Sequence, residues 1–110
     1  MIIAHGSNSI PKLPNKWDPD EIDRVWFSWS ELLNGATISD STWLLPGGWV
    51  SSGEQVSQSV SDSLGNVYTD ANSVILETSN RSGLYTITNR VVLSDGRQYD
   101  RSVIIDVQPL

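Results

Sequence analysis

Apolar residues recur at every second position through the last third of the chain. Tyr85, Ile87 and Val91 do so before the triplet Ser94-Asp95-Gly96, and Tyr99, Val103 and Ile105 do so after it. Two runs of period two, rich in β-branched and aromatic residues and separated by a turn signal, predict a β-hairpin. The apolar pattern also chooses the loop. A two-residue Asp95-Gly96 turn sets Tyr85 against Asp106 and Val91 against Asp100. A three-residue loop with Gly96 in the left-handed conformation sets Tyr85 against Ile105, Ile87 against Val103 and Val91 against Tyr99. A slip of one residue moves every side chain to the other face, so the three-residue loop is predicted.

The rest of the chain also reads as β. Ile22 to Trp29 is a strand with Val25, Phe27 and Trp29 on one face and Ile22, Arg24 and Trp26 on the other. A strand apolar on both faces is central or partly covered. Ser30 to Gly35 reads as one helical turn, capped by Ser30 and ended by Gly35. Short strands are predicted at 36–39 and 41–45 around Asp40, and Pro46-Gly47-Gly48 then breaks the chain. Residues 51–63 are Ser-rich, with Val56 and Val60 as apolar anchors, and read as an exposed edge strand or loop. Residues 64–70 read as a turn followed by a weak strand, and a firm strand at 73–78 and a turn at 80–83 lead into the hairpin. About seven short strands at roughly 10–12-residue spacing suggest a β-sandwich. Before them, residues 1–16 read as an extended arm, because Gly6, Pro11 and Pro14 prevent regular structure and Ile2 and Ile3 can add a short strand to an edge. Residues 17–110 are then one domain.

Composition narrows the function. The chain has 110 residues, a net charge of −6, five Trp and no Cys. The length allows one domain with a modest core. All five Trp lie in the first half, so they are expected to pack on the odd face of the Trp-free hairpin. An acidic chain is a poor partner for nucleic-acid phosphates and for anionic membranes, so neither is expected. Disulfides and thiolate chemistry have no residue to use. The start shows no basic segment leading into a long apolar one, so no secretory leader is expected.

Candidate chemistry is sparse. His5 is the one histidine and lies in the arm, with no fixed carboxylate to orient it for catalysis. No spacing among the 13 acids selects a catalytic pair. Asp18, Asp20, Glu21 and Asp23 offer oxygen ligands for calcium but lack a Gly-centred loop, and read better as a solvated turn. Trp43 and Trp49, beside the Pro-Gly-Gly break, can serve as sugar platforms, with core packing or a protein interface as the stronger alternatives. Asn89 and Arg101 face each other in the predicted register, inside an otherwise apolar face. Arg101 then needs a carboxylate such as Asp23 or Asp40, a contact with another subunit, or an opening to solvent.

One ordered set of residues resembles a known family. Its first part is Lys16-Trp17-Asp18-Pro19-Asp20-Glu21, then Phe27-Ser28-Trp29, Leu33, Gly35, Thr37-Ile38-Ser39, Ser41-Thr42-Trp43 and Pro46-Gly47-Gly48. Its second is Tyr85-Thr86-Ile87-Thr88-Asn89-Arg90, Ser94-Asp95-Gly96-Arg97 and Asp100-Arg101-Ser102. The chain resembles the small bacteriophage virion proteins known as fibre–tail adaptors. The resemblance implies an immunoglobulin-like β-sandwich and a structural role in the virion, with no catalytic residues and no cofactor. It implies other phage virion proteins (tail, connector or fibre subunits) as partners, self-association in a symmetric ring, and assembly in the host cytoplasm into the phage tail. The competing readings are a capsid decoration protein and a host-glycan-binding module. On the adaptor reading, Ile2, Ile3, Trp43, Trp49 and Arg101 are the expected interface residues. Trp26, Trp29, Asn89 and Gly96 are the expected structural ones, and no metal site is expected.

Overall fold

The structure is a computed structural model that describes residues 2–4 and 17–108. Seven strands and one helical turn follow the chain: β1 (Ile2–Ala4), β2 (Ile22–Ser28), α1 (Ser30–Leu33), β3 (Ile38–Leu44), β4 (Val50–Ser61), β5 (Val67–Glu77), β6 (Gly83–Leu93) and β7 (Gln98–Val107). They form two sheets, ordered β1-β2-β5-β4 and β3-β6-β7. This is the strand order of the seven-stranded immunoglobulin sandwich, in which the first, second, fifth and fourth strands share one sheet. Neighbours pair antiparallel except β1, which lies parallel to β2, with Ile2 beside Val25 and Ile3 beside Trp26. Trp17 adds a parallel bridge to Val107, its N–H donating to Asp106 and its carbonyl accepting from Gln108. The arm expected at residues 1–16 is described only at β1; the rest of it lies outside the described residues.

The β6–β7 hairpin has the register that its apolar pattern selects. Tyr85 faces Ile105, Ile87 faces Val103, Asn89 faces Arg101 and Val91 faces Tyr99. Leu93 donates its N–H to Arg97 and Gly96 donates back to Leu93, closing a three-residue loop with Gly96 at φ +91°. Nothing lies within 4 Å of where a Gly96 Cβ would stand, so the backbone angle and not crowding favours glycine.

Three local expectations are corrected. Ser30 is the first helical residue and makes no capping bond; Trp29 holds the cap position, and the turn ends at Asn34 in the left-handed conformation. The strands expected on either side of Asp40 are one strand, β3, with its register shifted between Ile38 and Asp40. The excess residue, Ser39, donates its hydroxyl to the Val92 carbonyl, so the break in apolar pattern is a bulge. The turn expected at Leu64 is present, but the weak strand after it and the firm strand at 73–78 are one strand, β5, with Asp70 at φ +50° within it.

Trp17, Phe27, Trp29, Trp43 and Trp49 pack with the odd face of the hairpin, whereas Trp26 points to the outer face of the four-stranded sheet; the core has two apolar halves. Trp17, Phe27, Trp49, Val74, Leu76, Ile87, Val103, Ile105 and Val107 belong to one cluster, with Trp43 and Tyr85 packed against it. Trp29, Leu33, Val91 and Leu93 form the other, with Ile38 and Tyr99 against it. Along β6 the boundary between the halves is a single residue, since Ile87 lies in one and Val91 in the other. That residue is Asn89.

Candidate functional site

Asn89 is fully buried, and a polar layer forms around it. Its carbonyl Oδ1 accepts from Trp29 Nε1 at 2.9 Å and from Asn72 Nδ2 at 3.0 Å. Its Nδ2 donates to Ser41 Oγ at 2.9 Å and to the Thr42 carbonyl at 3.1 Å. Both oxygen lone pairs and both amide hydrogens are therefore used. Asn72, also fully buried, accepts from the N–H of Ser57, which sits at φ +56° within β4. The layer thus joins β3 and β6 of one sheet to β5 and β4 of the other. Either sheet slipping by one residue would put an amide into one apolar half and leave these groups unpaired, so the layer fixes register.

Arg101 lies at the edge of this layer. Its side chain is 11% exposed and pairs with Glu31 at 2.5 Å. It also donates to the Ser28 carbonyl, and its guanidinium stands 4.8 Å from the Trp29 ring centroid. The carboxylate it meets is therefore neither Asp23 nor Asp40. Asp40 pairs with Val92, whereas Arg101 is in register with buried Asn89, and Asp23 lies opposite Leu76, near the end of β2 remote from Ser28. The helical turn α1 supplies Glu31 instead.

The other sequence-selected residues are placed as follows. Trp29 is fully buried and bonded to Asn89. Trp26 is half-buried on the outer face of the four-stranded sheet, with Arg24 5.9 Å from its ring centroid. Trp43 is half-buried and meets Phe27 edge-on, the centroids 5.1 Å apart. Trp49 is 7% exposed and packs on Tyr85 at 5.2 Å, so its ring faces the core. Ile2 and Ile3 lie on β1, beside β2. The acids at 18–23 are engaged locally: Asp18 accepts from the Asp20 N–H, and Glu21 accepts from the Asp18 N–H. His5 lies outside the described residues.

Surface features that the sequence did not single out occur at both ends of the four-stranded sheet. At one end, Ile22 and Val50 both pair with Glu77, one from each side, so the three share the outer face. Ile22 is 60% and Val50 56% exposed. Beside them, a groove of about 540 Å³ is lined by Gly47, Gly48, Val50, Glu77 and the 78–81 turn. At the other end, β4 and β5 are joined through Ser63, Leu64 and Gly65. Asp62 donates its N–H to Asn66, Gly65 donates to Asp62, and Gly65 has φ +86°. This is the same three-residue loop as at 94–96, and it falls where the sequence reads a turn at Leu64-Gly65.

The Asp62 carboxylate organises that loop. It accepts from the N–H groups of Leu64 (2.9 Å) and Asn66 (3.0 Å), from Asn66 Nδ2 (3.1 Å) and from the Tyr68 hydroxyl (3.2 Å). The side-chain bond from Asn66, followed by the two backbone bonds, holds the Asp62 pKa below its ordinary 3.8 against the opposing effect of desolvation. A carboxyl depressed in the folded loop stabilises that loop above its unfolded pKa, and the contribution disappears as pH falls through the folded value. The amide NMR shifts of Leu64 and Asn66 should therefore titrate together, with a midpoint below 3.8. A common midpoint at or above that value would show that the carboxylate does not hold the loop.

The sequence matches the family described as podophage GP4 fiber-tail adaptor protein gp77 over residues 17–106. The chain belongs to this family. The matched span begins at the Trp17 bridge and ends one residue before the last of β7, so it covers the sandwich from β2 onward and not one motif within it. Comparison with curated proteins and with solved structures gives no match. Membership in the fibre–tail adaptor family gives the chain a tail-adaptor role in a phage, located in the virion tail and in contact with other tail proteins. The polar layer and the Arg101 cluster fit a structural part: their side chains are committed to one another.

Proposed function

We propose that this protein attaches tail fibres or other tail proteins to the phage tail or connector, through protein–protein interfaces and without bond-making chemistry. The family match across β2 to β7 carries this reading. A rigid sandwich with its register fixed internally suits the task, because an adaptor holds two partners at a set distance and orientation. Several copies in a closed ring would match a rotationally symmetric tail. The outer face bearing Ile22 and Val50, beside the 47–50 and 78–81 groove, is the surface offered to one neighbour. Residues 1–16, with Ile2 and Ile3, act as an arm that strengthens the hold.

Cross-linking within intact virions tests the reading. A reagent that joins carboxylates to amines reports the neighbours of an acid-rich chain directly. The expected products join this protein to tail, connector or fibre subunits and to its own copies. Products with the capsid protein alone would instead indicate a decoration role.

A further inference from the structure

The β4–β5 hairpin is built as a probe. Its strands have 12 and 11 residues, while β2 beside it has 7. The β2–β5 pairing ends at Ser28 and Ala71, but β4 and β5 continue through Val60 with Tyr68 and Ser61 with Val67. The tip therefore runs past its neighbour in the sheet. It carries Leu64 at 85% and Val67 at 65% exposure. A single exposed leucine needs no explanation. Here, however, the loop that presents it is fixed by four hydrogen bonds to one carboxylate and by a left-handed glycine. Fixing an apolar side chain in advance removes the ordering entropy that binding would otherwise cost.

Charge identifies the kind of partner. Residues 25–80 contain six acids and no Lys or Arg, and the residues on either side balance, so the net charge of −6 belongs to this stretch. Glu54, Asp62 and Asp70 lie on the hairpin itself. Among the described residues, Arg24 reaches it at Gly53 and Ser73, away from the tip.

We propose that the 62–67 tip docks, with Leu64 as its anchor, into an apolar pocket rimmed by Lys or Arg on a neighbouring tail protein. This rests on the adaptor reading and names a contact within it. An aliphatic anchor in a closed pocket provides the affinity, and opposite charge around it provides orientation and encounter rate.

The test uses phage particles made without this protein, to which the purified full chain is added, with bound copies counted by quantitative mass spectrometry. Leu64→Asp should keep the wild-type melting curve, since the residue is exposed, and should bind at least about 10-fold more weakly. Leu64→Ala should fall between the two. Raising salt from about 50 to 500 mM should weaken wild-type binding by about 10-fold or more, because screening acts on the charged rim. Wild-type binding by Leu64→Asp overturns the tip contact while leaving the adaptor reading intact. Binding that ignores salt overturns the basic rim. Failure of the wild-type chain to bind the particles overturns the adaptor reading, and the tip contact with it.

Discussion

Asn89→Ala should destabilise the domain by about 3–5 kcal/mol, the larger of two strong effects expected from single substitutions. Truncation removes the acceptor of the Trp29 indole N–H, one acceptor of Asn72 Nδ2 and the donor to the Thr42 carbonyl. Each polar group left buried and unpaired costs about 1–3 kcal/mol. A cavity between the two apolar halves adds to this. Against a total stability of about 5–15 kcal/mol for a domain of this kind, the loss is severe. Urea unfolding measures it as a midpoint shifted by about 1.5 M or more. A double-mutant cycle identifies the cause. In Trp29→Phe with Asn89→Ala the indole donor is gone, so the pair should cost less than the two single changes together, with a coupling of about 1–3 kcal/mol. Additive losses would mean that Asn89 acts by packing alone.

Arg101→Met should cost about 2–4 kcal/mol and leave a protein that still folds. The methionine keeps much of the apolar stem but loses the bond to the Ser28 carbonyl and the cation over the Trp29 ring, each worth roughly 1–2 kcal/mol at a buried site. Its ion pair with Glu31 adds less than a buried pair would, because the Glu31 side chain is 39% exposed and can be rehydrated. Thermal melting of the isolated protein and incorporation into virions should fall together. A variant with an unchanged melting curve that fails to enter virions would instead place Arg101 in a contact with another chain.

Sequence reasoning reached as far as local pattern does. Alternation fixed the hairpin register, because only one loop length keeps Val91 off Asp100, and it exposed the Asn89–Arg101 rung. The partners of that rung were not legible. Glu31, Asn72 and Ser41 lie 70, 29 and 60 positions from Arg101 and come together only when the two sheets pack. Strand continuity was hidden for another reason. Ser39 and Asp70 interrupt the apolar pattern, and a bulge or a left-handed residue reads as a strand end until pairing on both sides is seen. Trp43 and Trp49 follow the core-packing alternative to a sugar platform: one packs edge-on to Phe27 and the other lies on Tyr85. The surface features instead rest on Ile22, Val50 and Leu64, which stand out only by exposure.

The central claim, that this chain links fibres or other tail proteins to the tail, is tested most directly by removing it. Particles grown from a phage with a stop codon early in this gene should be examined by electron microscopy, with fibres counted per tail. The account predicts filled capsids whose tails lack fibres, and recovery of the fibres when purified protein is supplied with them. Tails with a full set of fibres in the absence of this protein would contradict it.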